Sequence, residues 1–140
     1  MSKVAVVFWS GTGNTEAMAG AVEAGAKNAG AEVSVISSDD FTSDQVASFD
    51  AIAFGCPAMG VEVLEESSFE PMFSSVKGSL SGKKIALFGS YGWGDGQWMR
   101  DWEEACKAEG AELVCDSVIA NNAPDDDALE KCKSLGAALA

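Results

Sequence analysis

Apolar, strand-like runs alternate along this chain with segments whose apolar residues follow helical spacing. The strand-like runs lie at residues 3–9, 32–37, 51–55, 84–90 and 113–119. The first of them, Lys3 to Trp9, is a nearly continuous apolar run, which is typical of a parallel strand that helices cover on both faces. The alternation predicts an α/β fold, a doubly wound, five-stranded parallel sheet of order 2-1-3-4-5 with helices on both faces. We expect residues 1–140 to form one such domain.

In a doubly wound sheet, ligands bind at the carboxyl ends of the strands, where the strand order reverses. The loop at the end of the first strand has the sequence Ser10-Gly11-Thr12-Gly13-Asn14-Thr15. Its side-chain donors, its glycines and the unpaired N–H groups of the following helix suit a phosphate. Glu16 occupies the third-glycine position of a dinucleotide fingerprint, and no Gly-Lys-Ser/Thr sequence follows. A phosphate monoester is therefore the expected ligand, and an ordinary capped turn is the alternative.

Two further loops, which follow the third and fourth strands, suit a flat aromatic ligand. The first has the sequence Cys56-Pro57-Ala58-Met59-Gly60-Val61-Glu62, and its methionine offers a soft thioether to an aromatic ring. The second has the sequence Ser90-Tyr91-Gly92-Trp93-Gly94-Asp95-Gly96, in which two aromatic residues lie among glycines. Each loop alone could be a plain turn with a buried aromatic residue. Together with the phosphate loop, they predict a planar aromatic ligand that carries a phosphate tail.

The acidic composition limits the partners that the protein can have. The formal net charge is −13, which argues against nucleic acid and anionic membranes because both require basic surfaces. No apolar run reaches membrane-spanning length, and the N-terminus enters a strand directly without a signal peptide. We therefore expect a cytoplasmic protein that docks on basic patches of other proteins.

Several residues that could suggest chemistry are interpreted as structural. Histidine is absent, which removes the side chain best suited to acid–base work and the commonest zinc ligand. The four cysteines form no Cys-x-x-Cys pair, and Cys56, without a histidine or metal partner, is assigned no chemistry. The other cysteines are expected in the core, as are Trp98 and Trp102. Glu65 and Glu66 are expected to be exposed charges.

The three loops closely resemble those of flavodoxins, in particular short-chain flavodoxins of clostridium-like anaerobic bacteria. The resemblance is carried by residues 9–15, 58–60 and 89–94 and extends over essentially the whole chain. The fifth strand also runs without an insertion into Ala120. The resemblance implies a flavodoxin-like fold and a low-potential one-electron carrier, not an enzyme, that binds FMN non-covalently. Such a carrier would act in place of ferredoxin, as a monomer, between donor and acceptor oxidoreductases.

The resemblance also implies a role for each residue of the site. Met59 and Trp93 would cover opposite faces of the isoalloxazine ring, and Glu62 would accept a hydrogen bond from the flavin N3–H. Gly60 would present a peptide carbonyl to the flavin N5 once N5 is protonated. Asn122 would lie near the ribityl chain, and the loop after the first strand would hold the phosphate. The expected cofactor contacts are Ser10, Gly11, Thr12, Gly13, Asn14, Thr15, Pro57, Ala58, Met59, Gly60, Val61, Glu62, Ser90, Tyr91, Gly92, Trp93, Gly94 and Asn122, with no metal ligand and no catalytic residue.

This sequence departs from some flavodoxins at two positions of the site. Val61 stands where some relatives have an acidic residue, and Pro57 stands where some have a hydroxyl residue. The main alternative function is an FMN-dependent reductase or quinone reductase with the same fold. A phosphorelay receiver domain is excluded because its aspartate positions hold Trp9, Ser10 and Cys56. A bare phosphoprotein-binding module would leave the aromatic loops unexplained.

Overall fold

The computed structural model describes residues 2–11, 13–58, 64–92, 94 and 96–140. Within these ranges one parallel sheet runs through the molecule, and its order β2-β1-β3-β4-β5 confirms the predicted topology. The strands are β1 Lys3–Phe8, β2 Glu32–Ser37, β3 Ala51–Gly55, β4 Lys84–Tyr91, β5 Glu112–Leu113 and β6 Val118–Asn121. The strands β1 and β3 pair in register from Val4 with Ala51 onwards, which brings their carboxyl ends to one edge of the sheet.

The helices cover the two faces of the sheet, as the alternation of elements predicts. They are α1 Asn14–Asn28, α2 Ser43–Val46, α3 Phe69–Val76, α4 Gln97–Ala108 and α5 Asp126–Leu139. Alternate residues of β1 serve the two faces, because Val4 and Val6 pack with α1 and α5 whereas Ala5 and Val7 pack with α2, α3 and α4. Both clusters are buried, so the sheet is covered on either side.

The helices α1 and α5 approach each other so closely that glycine is required at their contact. A Cβ atom at Gly25 would lie 2.0 Å from the carbonyl oxygen of Lys133. A Cβ atom at Gly136 would lie 2.1 Å from the carbonyl oxygen of Val22. The small residues of this helix pair therefore allow backbone to pack on backbone, which brings α1 against the sheet with its N-terminus at the carboxyl end of β1.

The predicted fifth strand at 113–119, by contrast, is broken into two segments, so the expectation of one continuous strand there was wrong. Ile85 of β4 pairs with Leu113, and pairing resumes at Phe88 with Val118. On β4, only residues 86 and 87 lie between these two pairs, whereas residues 114–117 lie between them on the partner side. The extra residues bulge out of the ladder, and Ser117 instead donates its hydroxyl to the Glu103 carboxylate at 2.6 Å.

Burial confirms most of the residues interpreted as structural. Trp98 and Trp102 are each 2% exposed, and Cys106 and Cys132 are fully buried. Cys115 is only half-buried, because it lies in the bulge between β5 and β6. Within the described part of the chain, no helix combines the length and the apolarity that crossing a bilayer requires.

Candidate functional site

A cleft lies where the carboxyl ends of β1, β3 and β4 meet, at the edge of the sheet that the topology predicts for a ligand. Every loop that was expected to contact the ligand contributes to it. Its lining residues are Trp9, Gly11, Asn14, Pro57, Ala58, Ser90, Tyr91, Gly92 and Asn122. Sequence reasoning gave no separate role to Trp9, although an apolar aromatic residue directly after a strand and before a phosphate loop is a signal for such a wall. None of the described residues that line the cleft is a lysine or an arginine.

The first turn of α1 presents free donors to one end of this cleft. The first backbone bond of the helix runs from the Ala17 N–H to the Gly13 carbonyl at 3.0 Å. Among the described residues, the N–H groups of Asn14 and Thr15 and the side-chain amide of Asn14 have no hydrogen-bond partner. Because these donors lie at the positive end of a helix, they suit an anion.

Ser10 shapes the loop that precedes these donors. Its Oγ accepts from the Gly13 N–H at 3.1 Å and from the Glu16 N–H at 3.3 Å. A hydroxyl has two acceptor positions and one proton, so Ser10 closes the loop and keeps its proton for a ligand. The turn also requires glycine at position 13, where φ is +92°.

The strand β4 joins the loops around the cleft through its last two residues. The Ser90 carbonyl accepts from the Ala58 N–H at 3.0 Å, and the Tyr91 carbonyl accepts from the Asn122 N–H at 2.7 Å. The Ser90 hydroxyl lies 3.2 Å from that of Thr15, and both side chains are buried. The Thr15 hydroxyl therefore has a protein partner, in addition to the role toward phosphate that the sequence suggested.

Aromatic and apolar groups form the walls of the cleft. Trp9 and Tyr91 are half-buried, and Pro57 and Ala58 are half-buried beside them. The ring centroids of Tyr91 and Trp98 lie 5.5 Å apart, and this contact with a buried residue anchors Tyr91 to the core. Flat apolar side chains of this kind suit a planar ring.

Asn122 stands in a conformation that few residues adopt. Its φ is +58°, in the left-handed region, and its side chain is exposed. Asparagine tolerates this region better than most residues, and the bond from its N–H to Tyr91 holds it there. Its carboxamide oxygen faces Gly92, where a Cβ atom would lie 3.5 Å away.

Behind the wall formed by Pro57 and Ala58, the structure corrects one expectation. Glu65 is not exposed; it is 5% accessible, whereas Glu66 is exposed as expected. Burial by itself would raise the pKa of the Glu65 carboxyl, but N–H donors from Phe69, Ser67 and Ser68 outweigh burial and lower that pKa. The carboxylate is therefore a charged cap for the start of α3.

Cys56, which ends β3 and precedes Pro57, is fully buried. Burial raises the pKa of its thiol to about 12, a hydrogen bond from the Glu65 N–H opposes the rise, and the Glu65 charge adds to it. The thiol therefore stays protonated at neutral pH, in agreement with the interpretation that it performs no chemistry.

Part of the expected site falls outside the described residues. Thr12, Met59, Gly60, Val61, Glu62 and Trp93 belong to that part. Gly94 is described as exposed with φ +89°. The described residues already fit a flat ligand with an anionic end, because unpaired donors lie at one end of the cleft and apolar walls at the other. A larger cavity of about 610 Å³ lies between α3 and α4, away from these donors.

Comparisons with known proteins indicate one family. A family profile described as Flavodoxin matches residues 6–136. The chain is 50% identical over 137 residues to a flavodoxin of Megasphaera elsdenii, with 98% of each chain covered. It is 47% identical over 135 residues to a flavodoxin of Clostridium beijerinckii, with 96% of this chain and 97% of that one covered. The solution structure of two-electron reduced Megasphaera elsdenii flavodoxin matches with a TM-score of 0.90 and 49% identity over 97% of both chains.

Proposed function

The chain belongs to the flavodoxin family, and on this premise we propose how it holds its cofactor and which partners it serves. Flavodoxins are FMN-binding electron carriers rather than enzymes, and the relatives do not favour the alternative of a flavin-dependent reductase. When bound, FMN supplies a ring that accepts and releases electrons. The work of the protein is to bind this ring, to orient it and to control its surroundings.

The phosphate of FMN is proposed to lie at the first turn of α1. Three sets of donors support this proposal: the N–H groups of Asn14 and Thr15, the Asn14 carboxamide and the hydroxyl proton of Ser10. Gly11 and Gly13 would let the loop approach the phosphate closely, and Thr12 would add a hydroxyl. Because the described lining of the cleft includes no basic side chain, neutral donors and the positive end of the helix would bind the anion.

The flavin ring is proposed to lie between the wall of Pro57 and Ala58 and the loop that begins at Ser90 and Tyr91. Gly92, Gly94 and Asn122 would border it. The remaining contacts come from the sequence resemblance alone, namely Met59 and Trp93 on the ring faces, with Gly60, Val61 and Glu62 along the edge. The observation that carries the whole proposal is the set of unpartnered donors at the start of α1, at the end of an otherwise apolar cleft.

Binding of FMN and riboflavin, which share the ring but differ in the phosphate, tests the two ends of the site separately. Asn14→Ala is expected to weaken FMN binding to the apoprotein about tenfold and to leave riboflavin binding unchanged, because only the phosphate contact is lost. Asn28→Ala, the same change at the other end of α1, is the matched control. Trp93→Ala is expected to weaken both ligands by about 1–3 kcal/mol. If Asn14→Ala affects the two ligands equally, the phosphate does not lie at this helix.

The electrostatics support a proposal about potential and partners. A flavin that gains negative charge within a protein of net charge −13 is harder to reduce, so the carrier is proposed to work at low potential in place of ferredoxin. Its donor and acceptor oxidoreductases are proposed to dock through basic patches. We also propose a monomeric, cytoplasmic protein in which residues 1–140 form one FMN-binding domain. Electron transfer to a basic c-type cytochrome should then slow as ionic strength rises, and a rate independent of salt would contradict the docking proposal.

A further inference from the structure

Two buried residues behind the cleft contact each other although neither lines it. The sulfur of Cys56, at the end of β3, accepts a hydrogen bond from the Glu65 N–H at 3.3 Å. Cys56 is fully buried and Glu65 is 5% exposed. This contact brings Cys56, the residue before the cleft wall, against Glu65, which lies in the segment that leads into α3.

Glu65 is held through all of its polar groups. Its carboxylate accepts from the N–H groups of Ser67 at 2.8 Å, Ser68 at 2.7 Å and Phe69 at 2.9 Å. Its carbonyl accepts from the Glu70 N–H at 2.8 Å. These bonds satisfy the free donors of the first turn of α3 and offset the cost of burying a charge.

The backbone N–H and carbonyl of Cys56 are both hydrogen-bonded as well. Its N–H donates to the Phe88 carbonyl at 3.1 Å, and its carbonyl accepts from the Trp98 indole N–H at 3.3 Å. The next residues along the chain, Pro57 and Ala58, form the cleft wall. The Glu65 carboxylate thus fixes the start of α3, the backbone N–H of the same residue donates to the Cys56 sulfur, and Cys56 leads directly into that wall.

We propose that Glu65 is a positioning residue for the FMN cleft, which acts through Cys56 to hold Pro57 and Ala58 in place. This inference rests on the proposed site. A carboxylate that merely capped α3 could do so from an exposed position, as Asp125 caps α5 with its bond to the Ala128 N–H. Glu65 instead lies against the sulfur that precedes the wall. Removal of its side chain therefore loosens the wall as well as the helix.

The first measurement is ligand affinity of the apoprotein. Glu65→Ala is expected to weaken both FMN and riboflavin about tenfold, because it disturbs the wall rather than the phosphate end. Thr42→Ala, which removes the capping box of α2, controls for the loss of a helix cap away from the cleft. Glu66→Gln controls for the loss of a negative charge at the neighbouring exposed position. Both controls are expected to keep affinities within about twofold of the wild type.

The second measurement is amide hydrogen exchange of Ala58 in the apoprotein, because its N–H donates to the Ser90 carbonyl. Glu65→Ala and Cys56→Ala are each expected to accelerate this exchange about tenfold. The backbone amides within helices α1 and α5 are expected to keep their wild-type rates. Cys56→Ser retains an acceptor for the Glu65 N–H and should restore slow exchange. The Cys56 variants keep the Glu65 carboxylate as the cap of α3. They therefore test the contact between Glu65 and Cys56 even if Glu65→Ala destabilises α3.

Unchanged affinity and unchanged Ala58 exchange in Glu65→Ala, or effects no larger than those of Thr42→Ala, would overturn the inference and leave the proposed function intact. Failure of the proposed function has a different signature: equal effects of Asn14→Ala on FMN and riboflavin, whatever Glu65→Ala does.

Discussion

The Thr15 hydroxyl, at the start of α1, lies 3.2 Å from the Ser90 hydroxyl near the end of β4. The two residues are 75 positions apart in the chain, and both are buried. Thr15 lies in the first turn of α1, next to Asn14 of the cleft, and Ser90 lines the cleft from β4, so this pair joins the proposed phosphate end to the proposed ring end. The geometry of one end is therefore coupled to that of the other.

Loss of this hydroxyl pair is expected to cost stability. Thr15→Val leaves the Ser90 hydroxyl buried without its partner and should lower the free energy of unfolding by about 1 kcal/mol. Ser90→Ala should do the same, and the double variant should lose less than the sum of the two because both remove one interaction. Urea unfolding of the apoprotein measures all three. Strictly additive losses would mean that the two hydroxyls do not interact.

The close contact of α1 and α5 predicts opposite effects for two glycines in helices. Gly136→Ala places a Cβ 2.1 Å from the Val22 carbonyl oxygen and should reduce stability by about 1–3 kcal/mol. Gly20→Ala, in an open position of α1, should raise stability by about 0.5–1 kcal/mol because alanine favours helix. Thermal or urea unfolding distinguishes them. A stabilising Gly136→Ala would show that the helices do not pack backbone on backbone.

The lowered pKa of Glu65 predicts a particular acid dependence of stability. Its folded pKa lies below the ordinary value of 4.5, so the stability it contributes is fully present above that value. That stability is lost as pH falls from there through the folded pKa. The stability difference between wild type and Glu65→Gln should therefore be largest near neutral pH and should shrink in acid. Urea unfolding across this pH range measures the difference, and a difference that grows in acid would contradict the shift.

The burial of the cysteines predicts which thiols react in the native protein. Burial raises the pKa values of Cys56, Cys106 and Cys132 to about 12, so these thiols carry almost no thiolate at neutral pH. Cys115 is half-buried and should react first with a disulfide reagent such as Ellman's reagent. Cys115→Ser should abolish most of the native reaction, and urea should expose the remaining thiols. Rapid native labelling of Cys56 would contradict its place in the core.

Much of the fold follows from local features of the sequence. Apolar runs and helical spacing predict the parallel sheet and its strand order, because strands buried on both faces and amphipathic helices have different apolar periods. The same local features place Ser10, Asn14 and Ser90 at the carboxyl ends of strands, where a doubly wound sheet binds its ligands.

Other features depended on contacts between distant parts of the chain. In sequence, Glu65 and Glu66 are equivalent charges; only the packing of α3 against the end of β3 decides that one is buried and the other exposed. The break at residues 114–117, which include Asp116 and Ser117, likewise depends on register with β4.

The sequence by itself therefore determined the elements, their order and the loops that carry the site, since these depend on composition and periodicity along the chain. The tertiary structure alone decided which buried polar groups pair, as Thr15 does with Ser90 and Glu65 with Cys56. The physical reason is that a buried donor or acceptor needs a partner, and the partner is supplied by whichever residue the fold brings within reach.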